Sequence, residues 1–128
     1  MKAVLSIKPE FVEKIIKQEK IFEFRRKIFK KNIDSIIVYA SSPVKAIVGE
    51  IIIDKILYEN INTLWELTKN NAGITKDYFY KYFSNTQKGY AIKIKKFIPY
   101  NTPLSIKSIG LNTPPQSYAY INNYHNLI

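Results

Sequence analysis

Between residues 19 and 27 the chain reads EKIFEFRRK, which sets Glu23 among Lys20, Arg25 and Arg26 and between two phenylalanines. A guanidinium grips two phosphate oxygens at once and an ammonium adds a mobile point charge, so Lys20, Arg25 and Arg26 form a fork for phosphate. Lys8, beside the start of a predicted helix, extends that site, because helix N-termini attract anions. Glu23 either orients Lys20 or Arg25 by ion pairing or accepts a hydrogen bond from the exocyclic amine of a base; the same spacing also fits a surface ion pair. If the chain is an enzyme, Lys20 and Glu23 are its catalytic candidates. A cleft lysine whose pKa is lowered beside Arg25 can activate water or a hydroxyl.

Two further stretches carry polar groups suited to nucleic acid. YASSP brings together the hydroxyls of Tyr39, Ser41 and Ser42, with Lys45 just beyond, and such groups bond phosphate or sugar oxygens. It also fits a plain hydrogen-bonded turn before Pro43. After two prolines, Gln116, Ser117 and Tyr118 can present an amide and an aromatic face to a base, or Tyr118 can plug one end of the fold. Ten tyrosines among twenty cations suit stacking on bases beside a phosphate backbone, although Tyr78 and Tyr82 read as core or half-buried. The one histidine, His125, lies near the C-terminus, which leaves no Ser-His-Asp arrangement, and neither clustered metal ligands nor a phosphate-loop motif appear. No metal or cofactor is expected.

The balance of charge agrees with an anionic partner. The net charge is +10, and residues 1 to 31 hold ten of the twenty cations against four of the ten acids. Such a surplus favours nucleic acid first, with an anionic membrane surface or an acidic protein as alternatives, and it also serves solubility. The absence of cysteine excludes disulfides and thiolate chemistry and suits a reducing cytosol. No signal peptide or membrane-spanning run is visible, so a cytoplasmic protein is expected. With 128 residues, 46% of them hydrophobic, one globular domain over 1–128 is expected.

The elements that must position these residues follow from periodicity. AVLSI reads as a strand, and Pro9 starts a helix whose Phe11, Val12, Ile15 and Ile16 form one apolar stripe. From Ile21 to Arg25 the period becomes two: Phe22 and Phe24 point to the core, Glu23 and Arg25 to the opposite face. Residues 32–40 and 44–56 read as strands joined by a turn, with Gly49 marking a bulge or a close approach. Thr63 and Glu66 suggest a capping box opening a helix that ends near Gly73, and Thr75 caps a second one. Residues 89–97 alternate as a strand, 103–110 form a further strand candidate, and the tail has no clear period. Five or six strands, a helix near the start and two inserted helices make an α+β domain built on a small, partly closed β-barrel.

Three segments, LSIKPEFVEKIIKQEKIFEFRR, VYASSPVKAIVGE and PPQSY, resemble the ASCH domains, which have the PUA-like fold of small β-barrels. The pieces span residues 4 to 118. The family's signature (glycine, a spacer, lysine, two residues, glutamate or threonine, one residue, arginine) lands on Lys20, Glu23 and Arg25, with Gln18 or Glu19 in place of the glycine. The resemblance implies a role with RNA or another nucleic acid, some PUA-like relatives holding a modified base in a barrel-mouth cleft; from the chemistry of the residues, the cleft expected to hold a nucleotide here is formed by Lys8, Lys20, Glu23, Arg25, Ser41 and Ser42. Some family members are similar to enzymes, either ribonucleases or amidohydrolases acting on acetylated cytidine. In the amidohydrolase type the signature lysine and threonine work with a later helical glutamate; here those last two positions are Glu23 and Ala72, with Glu66 on the same predicted helix. The reading that ranks first is therefore a nucleic-acid-binding module. A small hydrolase using Lys20 and Glu23 on RNA or a modified nucleoside comes second, and a protein-interaction domain third.

Overall fold

Pro9, with φ already suited to a helix and no N–H to lose, opens α1 (Pro9–Ile16) directly after β1 (Lys2–Ile7). The computed structural model describes residues 1–122. β2 (Phe22–Arg25) and β3 (Ile36–Ala40) follow, then the long β4 (Ala46–Asn60). Two helices, α2 (Ile61–Thr68) and α3 (Lys76–Tyr82), come next, and β5 (Lys88–Leu104) and β6 (Tyr118–Ile121) complete the order. The α+β architecture is a six-stranded mixed sheet in the order β2-β5-β4-β3-β1-β6, in which β1 and β3 run parallel and the other neighbours antiparallel.

Period-two alternation divides the core between the faces of the sheet. Leu5, Ile36 and Val38 pack with Val12 and Ile15 of α1 on one face, while Val4, Ile37 and Ile47 pack with Ile109 and Ile121 on the other. A third cluster joins Phe22 and Phe24 of β2 to Leu64 and Trp65 of α2 and to Phe79 of α3, so the inserted helices cover the β2 end of the sheet. Gly49 fulfils both readings of its position. The register with β3 shifts beside it, and a Cβ there would lie 2.5 Å from the Phe97 ring.

Hydrogen-bond pairing leaves β2 and β6 as the edges of the sheet. Across the gap a side chain takes the place of a ladder: Arg25 on β2 donates through Nη2 to the Ser6 carbonyl of β1 at 2.7 Å and through Nη1 to Ser117 O at 3.4 Å. Strands that stand apart in the sheet order thus meet through one guanidinium, which requires the sheet to curl on itself.

Several expected elements move. The region after Leu104 is a short 3-10 turn (Ile106–Ile109), whose Ser105 side chain caps Ser108, and the sixth strand lies instead at Tyr118–Ile121. The strand expected over 32–40 begins at Ile36, and the one expected over 44–56 runs on to Asn60. α2 starts at Ile61 with Asn60 before it, so Thr63 sits inside the helix and caps nothing; a 3-10 turn (Lys69–Asn71) carries the helical run on from Thr68, and the left-handed Gly73 follows it, close to the expected end. Thr75 does cap α3, accepting the Tyr78 N–H at 3.1 Å. Ile16, expected on the apolar stripe, is 53% exposed. His125 lies outside the described residues.

Candidate functional site

The alternation of β2 places its charges as expected and buries them further than a surface ion pair. Glu23 is only 6% exposed, and its carboxylate meets Arg25 Nη2 at 3.1 Å. Lys20, in the turn between α1 and β2, is 2% exposed. Its Nζ donates to the Ala72 carbonyl at 3.0 Å and lies 5.1 Å from the Phe11 ring centroid and 4.9 Å from that of Phe24. Aromatic faces attract a cation, but they replace water incompletely. Burial lowers the Lys20 pKa from 10.5 to about 8; Glu23 works against that shift, and Lys14 and Arg25 add to it.

Two turns make this burial feasible. Gln18 has φ 63, so the left-handed position that glycine supplies in the family signature persists with a glutamine in it. Gly73 has φ 70, and a Cβ on it would lie 2.4 Å from Lys20 Cβ, so the Lys20 stem runs directly beneath the 72–74 backbone. Ala72, where the resemblance implies a helical glutamate, contributes its carbonyl to Lys20, whereas Glu66 is exposed and pairs with Lys69 at 2.7 Å.

Lys8, Lys20, Glu23 and Arg25 line one cavity of about 130 Å³, close to the volume that holds a single aromatic ring. Ser6, Phe11, Tyr78 and Tyr82 form further parts of its wall, and at its rim Lys8 Nζ donates to the Tyr78 hydroxyl at 3.2 Å. Arg25 Nε is buried without an acceptor among the described residues, so this guanidinium keeps one donor open. Tyr78 and Tyr82 are half-buried as expected, but neither they nor Ser6 stand among the expected site residues, although a signal for them exists. Ser6 and Lys8 alternate with Ile7, and Tyr78 and Tyr82 stand four apart on one helix face.

The remaining candidates lie elsewhere. Tyr39 is buried with Val4, Ile37 and Ile47 on the other face of the sheet. Ser41, Ser42 and Lys45 belong to the turn before β4, where the Ser41 N–H donates to Ile7 O at 3.0 Å, and none of them lines the cavity. Tyr118 packs edge-on against Phe29 and Tyr120. Arg26, Gln116 and Ser117 line a neighbouring groove whose wall includes Arg25 and Tyr82.

A second buried polar group is structural. Glu50 accepts from Lys2 at 2.7 Å, from Tyr100 at 2.9 Å and from the Ser35 hydroxyl. Burial pushes its carboxyl up, and these three hydrogen bonds more than offset that and leave it below the usual range. Neither the cavity nor the neighbouring groove opens onto it, and among the described residues no three histidine, cysteine, aspartate or glutamate side chains gather as metal ligands.

Comparison with known proteins gives the family of the chain. Residues 2–110 match the model of a domain family of unknown function, DUF365. The chain is 32% identical over 124 residues to an ASCH domain-containing ribonuclease of Zymomonas mobilis, covering 93% of this chain and 83% of that protein. It is also 27% identical over 120 residues to a part of the ATP synthase subunit alpha of Ureaplasma parvum, covering 92% of this chain and 15% of that one. Its fold superposes on the crystal structure of ASCH from Zymomonas mobilis with a TM-score of 0.86 at 32% identity, covering 94% of this chain and 87% of that chain. With sequence and fold matched over nearly its whole length, this chain belongs to the ASCH domain family, with that family's PUA-like fold.

Proposed function

We propose that this protein is a ribonuclease that cuts RNA without a metal, with Lys20 as its base and Arg25 as its anion holder. The observation that carries the reading is a buried lysine of pKa about 8 sharing a cavity with a paired guanidinium. At pH 7 about one Lys20 in ten is then neutral, so an acceptor for a hydroxyl proton exists near neutrality. The relative named a ribonuclease supports the same reaction class.

In this reading the 2′-oxygen of a ribose attacks the adjacent phosphorus and its proton passes to neutral Lys20. Arg25, oriented by Glu23, stabilises the charge on the phosphoryl oxygens. The P–O5′ bond breaks, and the leaving oxygen takes a proton from the Lys8 ammonium at the rim. The products are a 2′,3′-cyclic phosphate and a 5′-hydroxyl. Reaction through the neighbouring hydroxyl needs no added nucleophile, and the lack of a carboxylate cluster among the described residues accords with that. The test is incubation of end-labelled single-stranded RNA with the protein in the presence of chelator. Cleavage to cyclic-phosphate ends is expected, reduced about a hundredfold or more in Lys20→Met. Intact strands, or equal cleavage by a folded Lys20→Met protein, would refute the reading.

A second reading, a module that holds a base without cutting, is favoured by the enclosure of Lys20 between Phe11 and Phe24. It predicts salt-sensitive binding of strands that stay intact.

A further inference from the structure

Beyond the inner cavity, on the far side of Arg25 and Tyr82, opens a groove of about 750 Å³. Its wall carries the features of a single-strand track. Tyr58 on β4 and its register partner Tyr90 on β5 stack with centroids 4.4 Å apart and planes 24° apart, which fixes the Tyr58 ring, and Tyr58 remains 49% exposed. Lys88 Nζ stands 5.1 Å from the Tyr58 ring, and the Arg26 guanidinium 5.0 Å from the Tyr82 ring. Gln116 and Ser117 form part of the same lining. Exposed lysine and arginine resting on tyrosine faces are easily replaced there, since a base offers the ring a larger contact and a phosphate offers the cation a stronger partner.

We propose that this groove binds the nucleotide next to the one in the inner cavity, with its base stacked on Tyr58 and its phosphate held by Arg26 and Lys88. The ligand class is single-stranded RNA at least two nucleotides long. The proposal rests on the reading that the inner cavity takes RNA, but it concerns binding and not cleavage. A duplex keeps its bases stacked on one another and cannot offer a face to Tyr58.

The test is a binding titration with a labelled 2′-O-methyl single strand, which lacks the 2′-hydroxyl and stays whole whatever the protein's activity. Tyr58→Leu is expected to weaken binding about tenfold and Tyr58→Phe to restore it. Lys88→Gln, a surface change that serves as a second probe should Tyr58→Leu not fold, is expected to lower the dependence of affinity on salt by about one phosphate contact. A folded Tyr58→Leu or Lys88→Gln protein that binds as the parent does, or a duplex that binds as tightly as the single strand, would overturn the proposal. Binding that depends on Tyr58 without any cleavage of natural RNA would leave the groove standing and remove the ribonuclease. Cleavage that depends on Lys20 with no role for Tyr58 would do the reverse.

Discussion

Lys20 stays buried because the Ala72 carbonyl, two aromatic faces and the Glu23 charge answer its amine, and together they answer it incompletely. That deficit has a sign. The unfolded chain keeps its Lys20 proton up to about 10.5 and the folded protein releases it at about 8, so between those values the unfolded state binds more protons and stability rises with pH. Below 8 both states are protonated and this group adds no pH dependence. The rise should total about 3 kcal/mol. Denaturant unfolding at both ends of that window should show it in the parent and not in Lys20→Met; parallel pH dependences would contradict it. The charged face of β2 was legible because the four residues FEFR alternate, which separates Glu23 and Arg25 from Phe22 and Phe24. The burial of Lys20 was not, since it depends on Gly73 and Ala72, some fifty residues away in the chain.

The elements hold the site through two left-handed turns, at Gln18 and at Gly73. Gly73→Ala places a Cβ 2.4 Å from that of Lys20 and at φ 70, so it meets both backbone strain and a clash. A loss of about 2 kcal/mol in stability is expected, and a loss of cleavage even where the protein remains folded. Thermal unfolding and the cleavage assay would report these separately, and a Gly73→Ala protein equal to the parent in both would show that Lys20 does not need this close approach. The inserted helices were visible between two strands because their apolar spacing switches to the helical period. Their boundaries were not: Thr63 and Glu66 imitate a capping box inside a helix that β4 runs straight into. Nor was β6 apparent, because four residues on an edge show too little alternation to stand out from YAYINNY.

In the whole molecule the curl of the sheet encloses a cavity beside a strand edge. Arg25 closes the gap to β1 and to Ser117, just before β6, and it lines both the inner cavity and the outer groove. Glu50 ties β4 to β1, to the loop before β3 and to β5, which keeps the sheet in register opposite that gap. The +10 charge draws an anion toward this surface, but it does not distinguish a ribonuclease from a binding module; the state of one amine does. The most direct measurement is therefore the rate of RNA cleavage against pH in the presence of chelator. A rise that levels off with a midpoint about 8, and that disappears in Lys20→Met, is the predicted result. A profile without that midpoint, or the same profile in the variant, would contradict Lys20 as the base.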